Sequence, residues 1–250
     1  MRFKRILRIL LIILSGIITN LYAVNVQAIP TLQLDIGGGS YDSSTDTIVS
    51  ANSSFTIYAY LITNSHNSLG DTYYISAALS PRTSEPVDIG FFTFQGNDIE
   101  VTGDMTYGVP PLETVVTQVF DPGDLSRHGI FETYFSEFGF QFSGDQISQY
   151  NTADRADSGG EIPSTGTGMY YAAFTVDTSN LDSDYIIHFD LYNETIKNNG
   201  DVDISSFAPF SHDAESCHDC TPVPEPSTVL LLGAGFAGLW IFKRLIMVIT

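Results

Sequence analysis

Hydrophobic and polar residues alternate along much of the chain between residues 29 and 216. The clearest apolar runs at every second position are Leu32, Leu34 and Ile36; Phe55, Ile57, Ala59 and Leu61; Phe138, Phe140 and Phe142; and Ile187, Phe189 and Leu191. A period of two is typical of a strand that buries one of its faces. Tyr, Phe, Thr and Ile dominate these runs, as strands prefer, and no helical period stands out. The pattern therefore predicts a β domain over residues 29–216.

Clusters of turn-forming residues separate the runs, for example Gly37-Gly38-Gly39 and Asn198-Asn199-Gly200-Asp201. Together these signals predict about eight to ten strands. Their expected positions are near 31–36, 47–50, 54–63, 72–80, 89–95, 115–120, 131–142, 169–177, 185–192 and 202–207. Because strands do not alternate with helices, we predict an all-β fold, an antiparallel two-sheet β-sandwich of the cohesin-like or jelly-roll type.

The N-terminal 28 residues have a different pattern. A basic start that includes Arg2 and Lys4 leads into an apolar stretch from Ile9 to Ile18 and a small-residue site that ends at Ala28. This arrangement predicts a signal peptide over residues 1–28, and hence export to an oxidising compartment. The alternative is a retained anchor, for which the apolar stretch is short.

The C-terminal end also has an apolar segment, uncharged from Thr228 to Phe242 and followed by Lys243 and Arg244. As a helix it measures about 22 Å, against roughly 30 Å for a hydrocarbon core. It predicts a short transmembrane helix with a basic stop-transfer pair that stays cytoplasmic. Two prolines on either side of Glu225 keep the preceding backbone extended, so the whole segment has the layout of a sorting signal.

Composition narrows the partners of the domain. A chain with 43% hydrophobic residues can bury one sizeable core, and its 29 acidic against 10 basic residues give a formal net charge of -19. Most of the basic residues lie near the two ends, so the middle of the chain is strongly acidic. Such a surface repels phosphate backbones, which excludes nucleic acid as a partner and favours divalent cations.

The C-terminal motif resembles a known sorting signal. Val223, Pro224, Glu225, Pro226 and Ser227, followed by a glycine-containing apolar segment and the basic pair, look like the PEP-CTERM sorting domain, here over residues 223–250. The resemblance implies Gram-negative bacteria that secrete exopolysaccharide. It also implies that an exosortase, an intramembrane cysteine transpeptidase, processes the protein near Pro224–Pro226 and passes it from the inner membrane to the cell surface or extracellular matrix. A plain tail anchor is the alternative.

The β domain has a likeness of its own. The segments at 31–61, 128–142, 169–178, 185–193 and 207–216 resemble the exported family named choice-of-anchor N. This resemblance covers most of residues 31–216. It implies an extracellular domain with no assigned activity, and it supplies no catalytic residues.

Between domain and sorting segment, residues 217–222 form a predicted linker that contains the only two cysteines, Cys217 and Cys220. Thr221 stands where haem attachment needs histidine, so that function is excluded. An exported pair without another thiol partner favours a local disulfide that stiffens the linker. The alternatives are a redox pair, which needs a thioredoxin-like helix, and zinc bound by both cysteines with His212 and His218.

Acidic residues in predicted turns are candidate calcium ligands, because Ca²⁺ takes carboxylate and carbonyl oxygens. The candidates are Asp182, Asp184, Asp201 and Asp203. Asp, Asn and Gly also form turns for backbone reasons alone, so solvated turn residues are the alternative. Apart from calcium, the sequence predicts no cofactor.

No catalytic constellation is recognisable, so we expect no enzyme activity. The chain has no Gly-x-Ser-x-Gly motif and no phosphate-binding glycine loop. His188 and Asp190 share one face of a predicted strand and could ligate a metal or bind sugar, but two groups alone make no site. A hydrogen-bonded strand histidine is the favoured interpretation.

Taken together, the sequence predicts an exported protein that is anchored transiently in the membrane and processed by an exosortase. Its non-catalytic β-sandwich is expected to act at the surface or in an exopolysaccharide matrix, in adhesion or matrix association. The alternatives are a carbohydrate-binding module, for which 13 tyrosines and 17 phenylalanines offer stacking rings, and a secreted glycan-processing enzyme, which needs paired carboxylates in a cleft.

Overall fold

The computed structural model describes residues 28–108, 132–196, 202–209 and 212–217. These residues form strands and one short helix. In chain order the elements are β1 Leu32–Ile36, β2 Ser40–Asp42, β3 Thr47–Val49, β4 Ser54–Leu61, β5 Tyr73–Ser80, β6 Phe91–Phe94, β7 Asn97–Glu100, β8 Thr106–Gly108, β9 Thr133–Phe140, β10 Gln146–Ser148, α1 Thr152–Ser158, β11 Gly168–Asp177, β12 Ile186–Ile196, β13 Val202–Phe207 and β14 Asp213–Glu215.

The strands form two sheets. The first has six strands in the order β1-β4-β11-β6-β7, with β10 also paired to β11. The second has eight strands in the order β2-β3-β14-β12-β5-β9-β8, with β13 also paired to β12. Among the described strands, pairing is antiparallel except between β3 and β14. The prediction of a mostly β chain in two sheets is confirmed.

The two sheets share one hydrophobic core. Residues of both sheets that are fully buried in it include Leu32, Leu34, Ile57, Ile75, Ile187, Phe189 and Leu191. These are the apolar positions of the period-two pattern, and burying them on one face is what sets the register of each strand. The arrangement is that of a β-sandwich, and the polar residues between these positions lie on the outer faces.

The outer face of the first sheet is itself covered in part. Strand β1 is buried along its whole length, including the polar residues Gln33 and Asp35. Asp35 forms a buried ion pair with Arg155 of helix α1, and the hydroxyl of Tyr150 donates to its Oδ2 at 2.8 Å. Burial raises the pKa of Asp35 to about 6 even though Arg155 lowers it. Both faces of β1 are therefore buried, although its alternating sequence predicts only one buried face.

Helix α1 was not predicted, because it spans only seven residues. Asn151 caps its start by accepting a hydrogen bond from the backbone N–H of Asp154, and Gly159 ends it in the left-handed conformation. An isolated helix of this length is unstable in water, so its packing on β1 must stabilise it. That packing depends on Arg155, which no periodicity reveals.

Most predicted strands are confirmed within a few residues, and five short ones were missed: β2, β7, β8, β10 and β14. The predicted strand at 115–120 lies outside the described residues. So do residues 1–27 and 218–250, which include nearly all of the predicted signal peptide and the whole sorting segment. Within the described part of the chain, no helix combines the length and apolar character needed to cross a membrane.

Candidate functional site

The outer face of the second sheet carries a compact group of ionisable side chains where β12 lies between β5 and β14. Phe189 of β12 pairs with Ala214 of β14, and both point into the core. The residues on either side of this pair therefore point outward. They are His188 and Asp190 on β12, and Asp213 and Glu215 on β14. We call these four residues the outer-face cluster.

The imidazole of His188 lies at the centre of the outer-face cluster. Its Nδ1 is 2.9 Å from Oε1 of Glu215, while its Nε2 is 3.3 Å from Oδ1 of Asp190. Nε2 also lies 3.9 Å from Oδ2 of Asp213. On the neighbouring strand, Ser76 donates a hydrogen bond of 3.4 Å to Oδ2 of Asp190. Three strands of the second sheet thus meet at one imidazole.

The carboxylates of the cluster are largely shielded from water. Asp213 is 0% exposed and Asp190 is 5% exposed. The side chain of His188 retains 21% exposure and so forms the solvent-facing side. Both carboxylate oxygens of Asp213 are buried without a hydrogen-bond partner. A buried polar atom in that state is costly, and it is unusual in a folded protein.

Mutual repulsion and burial shift the protonation of the cluster. Burial alone lowers the pKa of His188, but Asp190, Glu215 and Asp213 together raise it well above its ordinary value. Burial raises the pKa of Asp213 well above its ordinary value, and the charges of Asp190 and Glu215 raise it further. Asp213 therefore binds a proton more readily than an ordinary aspartate, while the imidazole of His188 contacts the carboxylates of Asp190 and Glu215.

The cluster does not have the arrangement of a serine hydrolase triad. A nucleophilic serine must contact the imidazole, which in turn must contact a carboxylate. Here Ser76 contacts the carboxylate of Asp190 and is 0% exposed. What the cluster offers instead is one imidazole nitrogen and two carboxylates close together. His188, Asp190 and Asp213 are the only such group among the described residues, with ligand atoms all within 4.8 Å of one another.

The predicted calcium ligands lie elsewhere. Asp182 and Asp184 are exposed in the turn before β12, where Oδ1 of Asp182 accepts from the backbone N–H of Asp184 at 3.0 Å. This is an Asx turn, the backbone role that such residues have without a metal. Asp201 and the side chain of Asp203 lie outside the described residues. Within the described part, neither Asp182 nor Asp184 belongs to a group of three potential ligands.

The residues proposed as alternative zinc ligands near the linker are arranged differently. Cys217 is disulfide-bonded, so its sulfur is not a free thiolate. His212 is buried, with Nε2 at 3.1 Å from Oδ1 of Asn151, and burial lowers its pKa to about 4. Cys220 and His218 lie outside the described residues. In the described part of the chain, His212 thus supports helix α1 through its capping residue.

The prediction that His188 and Asp190 share a face is confirmed, but Asp213 and Glu215 were missed. The signal that could have found them is the polar-apolar-polar order of Asp213, Ala214 and Glu215, which is a minimal strand pattern. Its three residues are too few to stand out from a loop. Even with the strand recognised, nothing local shows that it lies beside β12.

Comparison with known proteins identifies the C-terminal segment. Residues 222–244 match the PEP-CTERM protein-sorting motif. The predicted sorting signal is therefore confirmed, and the match includes Val223 to Ser227 and ends with Lys243 and Arg244. This motif is typical of exported proteins that an exosortase sorts to the cell surface. No curated protein and no solved structure matches the chain.

Proposed function

We propose that this protein is a surface or exopolysaccharide-matrix protein whose β-sandwich is a non-catalytic module for adhesion or matrix association. The observation that carries the proposal is the PEP-CTERM motif, which begins at residue 222, soon after the last described residues of the sandwich at 212–217. A folded domain directly before an exosortase signal is the cargo that the signal delivers. The domain therefore acts where the signal places it.

The route that we propose has three steps. Residues 1–28 direct export and are removed after Ala28. Residues 223–250 then hold the chain in the inner membrane of a Gram-negative bacterium, with Lys243 and Arg244 on the cytoplasmic side. The exosortase finally cleaves near Pro224–Pro226 and releases the domain. Support comes from the order of basic, apolar and proline-containing segments along the chain.

The linker at 217–222 is proposed to be a short stiff stalk. Cys217 is disulfide-bonded and Cys220 is the only other cysteine of the chain. A disulfide between them closes a small loop directly before the proline-rich motif, which limits the conformations available there. The sorting peptide would then stand clear of the domain and be accessible to the exosortase.

For the outer-face cluster, a non-catalytic role is supported by the burial of its aspartates and of the neighbouring Ser76. Ser76 is fully buried, and so is Asp213, while Asp190 is 5% exposed. A glycosidase needs two carboxylates that flank a cleft open to its substrate. This burial favours a binding or structural domain, which agrees with the proposed relationship to the choice-of-anchor N family and with a cohesin-like or jelly-roll topology.

Carbohydrate binding is a second candidate function, favoured by one exposed ring. Tyr107 of the short strand β8 is 43% exposed, whereas most aromatic residues of the described part lie in or against the core. Its ring is held by an edge contact with Tyr134, with 5.3 Å between ring centroids. A rigid exposed tyrosine can stack on a sugar ring at little entropic cost.

The sugar-binding role predicts that Tyr107→Ala lowers retention on a column of the host's exopolysaccharide at least several-fold. Val87 is a matched control, because it is the other large hydrophobic residue among the described ones with the same exposure of 43%. Val87→Ala should leave retention unchanged. Equal retention of the wild type and Tyr107→Ala would show that Tyr107 does not contact the polymer. Release of shortened polymer would favour the glycan-processing alternative.

Intact-mass analysis tests the sorting proposal directly. The mature protein is recovered from the native surface or medium of a normal host and of a host that lacks the exosortase. We expect a mass that ends near Pro226 in the normal host and a longer chain in the mutant. A mass that extends through Thr250 in both hosts would contradict the proposal and leave an ordinary tail-anchored protein.

A further inference from the structure

We propose that the outer-face cluster binds one divalent transition-metal ion of the zinc class, held by Nε2 of His188 and by the carboxylates of Asp190 and Asp213. The ion would join β12 to β14, the last described strand before the sorting segment. This inference does not depend on the proposed surface function, because it rests on the geometry of the cluster alone.

The unpartnered carboxylate of Asp213 is the first reason. It is fully buried, and neither of its oxygens accepts a hydrogen bond. It also faces the carboxylate of Asp190, which is itself buried. Among the ion pairs of the described residues, the only nitrogen near these acids belongs to His188. A buried carboxyl group without a hydrogen-bond partner is costly whether or not it carries a proton, and coordination of a metal ion would satisfy it.

The orientation of His188 is the second reason. Its Nδ1 is 2.9 Å from Glu215. In the neutral imidazole, a hydrogen bond from Nδ1–H to this carboxylate puts the lone pair on Nε2, where a metal ion would take the place of the second ring proton. Nε2 in turn faces Asp190 and Asp213. A metal-ligating histidine commonly donates its other N–H to a carboxylate, which fixes the tautomer and makes the ligand more basic. Ser76 holds Asp190 in a similar way by donating to Oδ2.

The spacing of the donor atoms also fits an ion. Nε2 lies 3.3 Å from Oδ1 of Asp190 and 3.9 Å from Oδ2 of Asp213. Ligands at the usual zinc distances are separated by about 3.4 Å when they occupy the corners of a tetrahedron. The three donor atoms all lie within 4.8 Å of one another, so a rotation of the Asp213 side chain would be needed to bring them to this spacing around one ion.

The kind of donor selects the metal. Calcium and magnesium prefer ligand sets made only of oxygen atoms, and soft metal ions such as Cu(I) prefer thiolate or thioether ligands. One imidazole nitrogen with two carboxylate oxygens suits zinc, and after it manganese. Three protein ligands leave one position of a tetrahedral ion for water, on the partly exposed side of His188.

A purely structural imidazolium explains the cluster less well. Such a group satisfies Glu215 at 2.9 Å and Asp190 at 3.3 Å. It does not satisfy Asp213, since 3.9 Å is beyond hydrogen-bond distance. The ion accounts for this carboxylate as well.

The test uses the full chain, stripped with EDTA, dialysed and titrated with zinc chloride. We expect one bound zinc per chain by elemental analysis. Zinc at 100 times its Kd should raise the melting temperature by about 5 to 10 °C. Asp213→Asn and His188→Gln should abolish both effects. Glu215→Gln should weaken zinc binding by about 10- to 100-fold, since it acts through His188. Asp184→Asn, which changes an exposed acid outside the cluster, is the matched control.

The stability of zinc-free Asp213→Asn gives a second test that does not depend on zinc binding. Replacing an unpartnered carboxyl group by an amide of the same shape should leave the zinc-free chain at least as stable as the zinc-free wild type. A much lower melting temperature for this zinc-free variant would show that Asp213 has a partner, and would overturn the inference. It would likewise be overturned by an absence of stoichiometric zinc, by unchanged zinc binding in Asp213→Asn, or by stabilisation with calcium and not with zinc.

Discussion

At the residue scale, Asp35 and Arg155 form an ion pair that is buried in the described part of the sandwich, where an unpaired charge would be costly. Asp35 is 0% exposed and Arg155 is 8% exposed. The guanidinium donates to both carboxylate oxygens, with Nε at 3.0 Å from Oδ2. Its Nη1 also donates to the backbone carbonyl of Gly39 at 3.1 Å. One side chain thus joins helix α1 to strand β1 and to the turn that follows it.

Loss of this arginine should be strongly destabilising. We expect Arg155→Met to lower the free energy of unfolding by about 3 to 5 kcal/mol at pH 7, because it leaves the buried carboxylate of Asp35 without its charged partner. Urea unfolding measures the change. Asp157→Asn, an exposed substitution on the same helix, should change stability by less than about 0.5 kcal/mol. A loss below 1 kcal/mol in Arg155→Met would mean that the pair contributes little.

The raised pKa of Asp35 predicts a pH dependence with a definite sign. In the folded chain, burial raises this pKa to about 6, although Arg155 and Tyr150 act to lower it. In the unfolded chain the carboxyl group is solvated and has the ordinary value of 3.8. The folded state therefore holds a proton that the unfolded state releases between about pH 4 and 6. Stability from this group falls as pH rises through that window, by up to about 3 kcal/mol.

Comparison of the wild type with Asp35→Asn isolates that contribution, because the other acids of the chain titrate in both proteins. The difference between their unfolding free energies should change steadily from pH 4 to 6.5, with the wild type losing stability relative to the variant. A difference that stays constant over this range would show that Asp35 keeps an ordinary pKa.

At the scale of elements, helix α1 depends on a capping residue with two tasks. Oδ1 of Asn151 accepts from the backbone N–H of Asp154 at 3.0 Å and lies 3.1 Å from Nε2 of His212. The same atom therefore joins the start of the helix to the segment that leads into β14. The stability of the helix and the position of β14 are linked through it.

Asn151→Ala should consequently lower the free energy of unfolding by more than the loss of a typical helix-capping residue does. Loss of a cap alone costs about 1 kcal/mol, and the buried imidazole of His212 loses an acceptor as well. We expect a total loss of about 2 to 3 kcal/mol in urea unfolding. Asn151→Asp keeps an acceptor oxygen at the same place and should retain most of the stability. Equal losses in both variants would show that the amide is needed for another reason.

At the scale of the whole molecule, the net charge of -19 attracts cations to the chain as a whole, so specific cation sites must be distinguished from this general attraction. Asp182, Asp184, Asp201 and Asp203 stay predicted calcium ligands. The backbone of Asp203 lies in strand β13 and not in the predicted turn, and the Asx turn is the structural role of Asp182. If they bind calcium, millimolar calcium should raise the melting temperature and Asp201→Asn should reduce that rise. A melting temperature that neither calcium nor a chelator changes would exclude these sites.

Calcium and zinc effects can be separated in the same protein. The calcium prediction involves the four acids named above, of which Asp182 and Asp184 are exposed, whereas the zinc inference involves the buried acid Asp213. Asp213→Asn should remove only the zinc response, and Asp201→Asn only the calcium response. If both variants altered both responses equally, general attraction of cations to the chain of net charge -19 would be the better explanation.

The sequence by itself determined the features that depend on neighbouring residues. The alternation of apolar side chains at positions such as Ile187 and Phe189 was sufficient to predict strands and a sandwich core, because the pleat of a strand has a period of two. The sorting signal is likewise a contiguous string of prolines, apolar residues and basic residues. Neither needs a distant partner to be recognised.

Only the tertiary structure decided which polar residues meet. Arg155 and Asp35 are separated by 120 positions, and His188 and Glu215 by 27. The sequence showed His188 and Asp190 on one face because two positions of a strand share that face. It could not show Asp213 beside them, since a three-residue strand has a weak pattern of its own and its place next to β12 follows from the order of strands across the sheet.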